Sequence, residues 1–298
     1  MLDALGSVIS VIFTIALGFV LARRHWFDAA GSALVSRLVV SVSLPAYMVA
    51  NLMGGYDRAR LLSMLPGLPV PFLSMLILFG LSMLVVRLAK VRPGRRGTFS
   101  SMFSLSNTIF IGLPVNVILF GEPSIPFVLL FYMANTILFW TLGVHGIATD
   151  GAVLEGKAEP PLVSLDTLRR ILSPPFLGLA MAILLILAGI VLPKPLLDLA
   201  KMIGGMTTPL SMLFIGIVIA RVDWKTMRME RDVALVLLGR FVLAPVILVV
   251  LVRWTDLPLL MKQVFLVQAM MPAMTQTPIL VAARSEERRV GKECRSRW

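Results

Sequence analysis

Residues Ser106–Asn116 read SNTIFIGLPVN. They lie inside an apolar run, Phe103–Phe120, that carries no charged residue. A run of about 18 apolar residues is long enough to cross a bilayer as a helix. Asn107, Gly112 and Pro114 nevertheless stand near its middle. Proline inside a helix removes one backbone hydrogen bond and blocks another, at about 3 kcal/mol or more in water. In lipid such a break survives only within protein or beside a wet cavity, because unsatisfied backbone groups are expensive there. The stretch therefore reads as a membrane helix interrupted for a purpose.

The rest of the chain agrees with a membrane setting. Of 298 residues, 58% are hydrophobic and 15% charged, and the mean hydropathy is +0.90. Soluble domains hold about 25% charged residues. Solid apolar runs, rather than short alternating segments, exclude a β-barrel. The net charge of +12 does not indicate nucleic acid, because no basic stripe with interleaved aromatics accompanies it. Lys and Arg gather instead in short connections, as the positive-inside rule requires. The N-terminal run is not a cleavable signal peptide, since Asp3 precedes it and Arg23 and Arg24 follow it.

Nine helices are expected, at 4–22, 33–53, 62–88, 98–120, 125–147, 171–192, 200–220, 233–252 and 261–282. Residues 148–170 read as a cytoplasmic loop rich in charge, Gly and Pro. With the N-terminus outside, the inner connections hold fourteen Lys/Arg and the outer ones six, which favours that orientation. The loop splits the chain into 1–147, with five helices, and 171–283, with four. A tenth helix would complete an inverted repeat of the transporter kind. The prolines are compatible: Pro45 to Pro114 spans 69 residues, and so does Pro209 to Pro278.

The fourth helix then has a partner in the ninth, which carries MMPAMTQTPIL at 270–280. Pro272 and Pro278 flank Thr275, Gln276 and Thr277. Paired discontinuous helices in corresponding places form the midplane site of many secondary transporters. Polar kinks also serve merely to bridge helices, but the matched pair favours a site. Pro suits the first turn of a helix, so Pro114 and Pro278 are each expected to open a half-helix, with Pro45, Pro209 and Pro272 as further hinges. Half-helix N-termini attract anions. Asn107, Thr108, Gln276 and the neighbouring Thr hydroxyls can hydrogen-bond a carboxylate. With no Asp or Glu expected in the helix interiors, an organic anion is favoured over a metal or an amine. Arg240, in LVLLGRFVLAP, has two readings: an intramembrane functional charge, or a side chain snorkelling to the inner surface.

The last 15 residues, RSEERRVGKECRSRW, break the pattern, with nine charges directly after an apolar run. The string resembles the in-frame translation of a short-read sequencing adapter, beginning AGATCGGAAGAG. Residues 284–298 are accordingly read as an artefact, with the natural chain continuing beyond Ala283. Cys294, the only cysteine, lies in this tail. The alternative is a basic cytoplasmic tail.

SMFSLSNTIFIGLPVNVILFG, NTILFWTLG and MPAMTQTPIL, with SLPAYM and TTPLSMLFIG, resemble the auxin efflux carrier family over roughly residues 5–283. The short central loop resembles the bacterial malonate-type permease branch. The resemblance implies ten helices in two inverted five-helix repeats, crossed Pro-centred helices four and nine, and an elevator-like motion of a transport part against a scaffold. It implies that Asn107 contacts a substrate carboxylate and that Asn135, on helix five, lines the same pocket. The tenth helix of the family is missing here.

The expected fold is thus an all-α integral membrane protein, and the expected function is a permease for small organic anions such as malonate or malate in the inner membrane. A sodium-coupled carrier of bile-acid type is the alternative. Proton or sodium coupling and a homodimeric state stay open. No cofactor and no metal are expected. An intramembrane enzyme would lack acids, bases and metal ligands to work with, and a channel would show polar rings along a pore.

Overall fold

A computed structural model describes residues 2–156, 172–222 and 230–274. Its long elements are all helices, and five of them are long and apolar enough to cross a membrane: Ala30–Gly55, Arg58–Leu88, Glu122–Glu155, Lys194–Ala220 and Arg231–Arg253. The first crossing, Leu2–Arg23, begins the chain. The fourth is split into Arg96–Ser104 and Thr108–Phe120. The sixth is Pro174–Leu187, and the ninth begins as Leu259–Ala269. Large apolar side chains such as Phe13, Leu184 and Val250 are exposed around the bundle. On a soluble monomer such extensive apolar patches would be anomalous; on a membrane protein they face lipid.

Several boundaries differ from the sequence expectation, two of them by six residues or more. The fifth crossing continues to Glu155 rather than stopping at 147. Asp150 makes this tolerable, because its buried carboxylate accepts hydrogen bonds from the backbone N–H groups of Gly97 (3.0 Å) and Thr98 (2.7 Å). The expectation of acid-free helix interiors is therefore corrected at this position. The seventh crossing begins at Lys194 rather than 200, as a first piece to Gly204 and a second over Thr207–Ala220. The adapter-like tail lies outside the described residues.

Small residues decide which helices pair. A Cβ on Gly18 would fall 2.2 Å from the carbonyl oxygen of Leu213, and one on Gly216 would fall 2.0 Å from that of Ile15. The first and seventh crossings therefore pack backbone to backbone. Gly178 on the sixth sits against Pro45 of the second, and Gly204 on the seventh against Tyr47 of the second. These four crossings form one packing group. The third, fourth, fifth, eighth and ninth form another, drawn together at Gly97 and Gly146, where a Cβ on the former would meet the latter's carbonyl oxygen at 2.0 Å. An apolar seam joins the groups, with Leu44, Met48 and Leu179 on one side and Ile109, Leu113 and Tyr132 on the other.

Widened π turns mark the kinks. Three of them, Val39–Ser43, Thr108–Gly112 and Gly239–Leu243, stand immediately before helices whose second residue is Pro45, Pro114 or Pro245. The cause is local: the proline ring repels the carbonyl four residues back, and an extra residue in the turn makes room. Pro209 is the third residue of its helix, in the first turn.

Candidate functional site

The decisive break lies upstream of Pro114. The first half of the fourth crossing ends at Ser104, and the second begins at Thr108, so Pro114 sits inside it rather than opening it. Asn107 is the N-cap, with its Oδ1 accepting from the Phe110 N–H at 3.1 Å. Asn107 thus does what proline was expected to do, by satisfying a first-turn donor that has no intrahelical partner.

The break in the fourth crossing meets the segment that follows Leu259–Ala269. Ser106 and Ala273 form an antiparallel bridge, and the Asn107 N–H donates to the Pro272 carbonyl at 2.8 Å. Each extended segment satisfies backbone groups freed in the other. Asn135 from the fifth crossing completes the arrangement. Its Oδ1 accepts from the Ser106 N–H and its Nδ2 donates to the Ser106 carbonyl, both at 3.0 Å. The side chain acts as a short extra strand, and it is fully buried.

Gln268 belongs to the same cluster and was not singled out in the sequence. It is fully buried, and its Nε2 donates to the Thr108 carbonyl at 3.2 Å. Gly112 makes room for it: a Cβ there would lie 2.2 Å from Gln268 Oε1. The signal was a lone amide in VFLVQAMMP, one residue before the helix Leu259–Ala269 ends. Asn116 donates its Nδ2 to the Gly112 carbonyl at 2.7 Å.

Arg240 does not snorkel. It is 2% exposed, so the surface reading fails. Its Nη2 donates to the carbonyls of Ala269 (2.7 Å) and Met271 (3.1 Å), its Nε to Met271 (3.2 Å), and its Nη1 to Phe103 (3.4 Å). Gly239 permits this, because its missing Cβ would collide with the Phe103 ring at 2.3 Å.

A cavity of about 30 Å³ lies at the seam between the packing groups. Asn107, Thr108 and Tyr132 line it from one group, and Val40, Leu44 and Pro175 from the other. Asn107 Nδ2 and Thr108 Oγ1 are buried with no hydrogen-bond partner among the described residues. Asn135 and Arg240 do not line this cavity. The volume suits a water molecule rather than a dicarboxylate. Thr275, Gln276, Thr277 and Pro278 lie outside the described residues.

A larger cleft, about 540 Å³, carries Asn51, Arg60, Glu122 and Lys201 on its walls. The Arg60 guanidinium lies 4.7 Å from the centre of the Tyr56 ring. Burial pushes the Tyr56 phenol up, with the Arg60 charge acting in the other direction.

The family model described as "Membrane transport protein" matches residues 3–287, nearly the whole chain. The chain belongs to the membrane transport protein family. That family is one of transporters rather than enzymes, and it is the one that the auxin efflux carrier resemblance indicated. No curated protein matches the chain. In a membrane transport protein, a helix break at a seam between two packing groups is a natural place for substrate.

Proposed function

We propose that this membrane transport protein is a secondary active or facilitative permease for small organic anions, such as malonate, malate or other carboxylates. It works in the inner membrane with its N-terminus outside. The observation that carries the reading is Asn107 Nδ2, a buried donor without a partner among the described residues, in the cavity at the seam. A carboxylate oxygen accepts from such a donor. Thr108 Oγ1 supplies a second hydrogen bond from the same wall. Thr275, Gln276, Thr277 and Pro278, which lie outside the described residues, are assigned to the same substrate site by sequence analogy with Asn107–Pro114. Gly112 and Asn135 shape the site through Gln268 and Ser106.

Alternating access follows an elevator-type movement of the group holding the fourth and ninth crossings against the group holding the first, second, sixth and seventh. Three observations support this. The cavity is too small for a dicarboxylate, so loading requires the groups to part. The pairings of the scaffold group also exchange under an inverted repeat: first with seventh, and sixth with second. The registers match to within one residue, since the helices end at Ser104 and Ala269, ten residues before Pro114 and nine before Pro278.

Uptake of labelled malonate and malate into proteoliposomes tests the proposal. Parent protein is expected to accumulate at least one of them. A correctly folded protein that moves no carboxylate from a broad panel refutes it.

A further inference from the structure

Three backbone carbonyls converge at the crossing, none of them from a residue that lines the cavity. They belong to Phe103, near the end of Arg96–Ser104, and to Ala269 and Met271, at and just past the end of Leu259–Ala269. The last carbonyls of a helix have no intrahelical partner. The end of each helix also carries roughly half a negative elementary charge. Two such ends pointing at one buried place create a cation site. In secondary transporters, half-helix C-termini and unwound carbonyls hold the coupling sodium or proton.

Here that place is filled from within the chain. The Arg240 guanidinium donates to all three carbonyls. Among the described residues no carboxylate pairs with it; the one ion pair there, Arg95 with Glu230, is exposed. The charges nonetheless balance, since two helix ends of about −0.5 each offset one guanidinium. The planar fork also matches carbonyls arriving from two helices better than an ammonium would.

We infer that Arg240 is a resident cation standing in for a coupling ion, so that the crossing is held closed, and substrate is moved, without sodium. Arg240 is then a positioning residue, not a substrate ligand. The structural part of the inference is independent of the proposed substrate class; only the statement about coupling rests on the transport reading.

The test uses the full-length protein, with thermal unfolding and carboxylate uptake both measured in sodium chloride and in choline chloride of equal ionic strength. The parent is expected to show the same Tm in both salts and uptake rates within about twofold. Arg240→Ala opens the carbonyl cage, and its Tm should fall by about 10 °C. It should then recover part of that loss with methylguanidinium or sodium, neither of which stabilises the parent. Arg240→Lys keeps the charge, and is expected to fall less and stay indifferent to sodium. It serves as the variant if Arg240→Ala does not fold. A parent whose Tm or uptake depends on sodium overturns the inference. So does an Arg240→Ala protein that folds but gains nothing from either cation, or an Arg240→Lys protein that sodium stabilises. Loss of uptake on all carboxylates, with the Tm pattern as expected, counts against the proposed function alone.

Discussion

Asn107, which lines the cavity, differs at its two side-chain atoms. Its Oδ1 caps the half-helix, and its Nδ2 is buried without a partner among the described residues. Substitution by Ala removes both, and substitution by Asp keeps the cap while replacing the donor with a negative charge. Hydrogen bonds to charged groups contribute about 1.5–3 kcal/mol. Both variants are therefore expected to lose about tenfold or more in apparent affinity for carboxylate. Only Asn107→Ala should also lose Tm, which separates binding from capping. At Gly112, an added methyl collides with Gln268, and overpacking costs about 1–3 kcal/mol. Gly112→Ala is expected to lower the Tm, and Gln268→Ala in the same chain to restore part of it, as a double-mutant cycle would read. Asn107 was legible in the sequence because a polar side chain interrupts an uncharged run. Gln268 was not, because one amide in an apolar run is compatible with many packings. The partners of Arg240 were also hidden, since backbone carbonyls carry no sequence signature.

The elements show where proline reasoning stops. Widened turns precede Pro45 and Pro114, but Pro114 does not open its half-helix; the Asn107 cap and the Ser106–Ala273 bridge locate the break instead. A cross-helix bridge depends on the partner segment, so a single-helix reading cannot place it. The opposite end of Arg96–Ser104 teaches the same lesson. Its first N–H groups are capped by Asp150 from the fifth crossing, in what reads as a loop. Losing a cap costs about 0.5–2 kcal/mol. Asp150→Ala is expected to lower the Tm by a few degrees and leave carboxylate affinity unchanged, since Asp150 does not line the cavity at the seam. Equal stability of the variant would show the contact to be idle.

At the scale of the whole molecule, the all-α membrane class was legible from composition and run length alone. The grouping of helices was not, because it depends on which glycines face which backbones. Gly18 with Leu213 and Gly178 with Pro45 are separated by more than a hundred residues of chain. That grouping underlies the central claim: substrate enters only when the two packing groups move relative to each other. The claim is tested by cross-linking in a background without other cysteines. Phe110 and Phe214 touch across the seam, with ring centroids 5.1 Å apart, whereas Phe131 and Phe265 touch within one group at 5.8 Å. Cysteines are placed at each pair, bridged with a short cleavable thiol reagent, and carboxylate uptake is followed before bridging, after it and after cleavage. Bridging 110 to 214 should abolish uptake until the bridge is cleaved, while bridging 131 to 265 should leave most of it. Uptake at the unbridged rate with 110 and 214 fully joined contradicts the account.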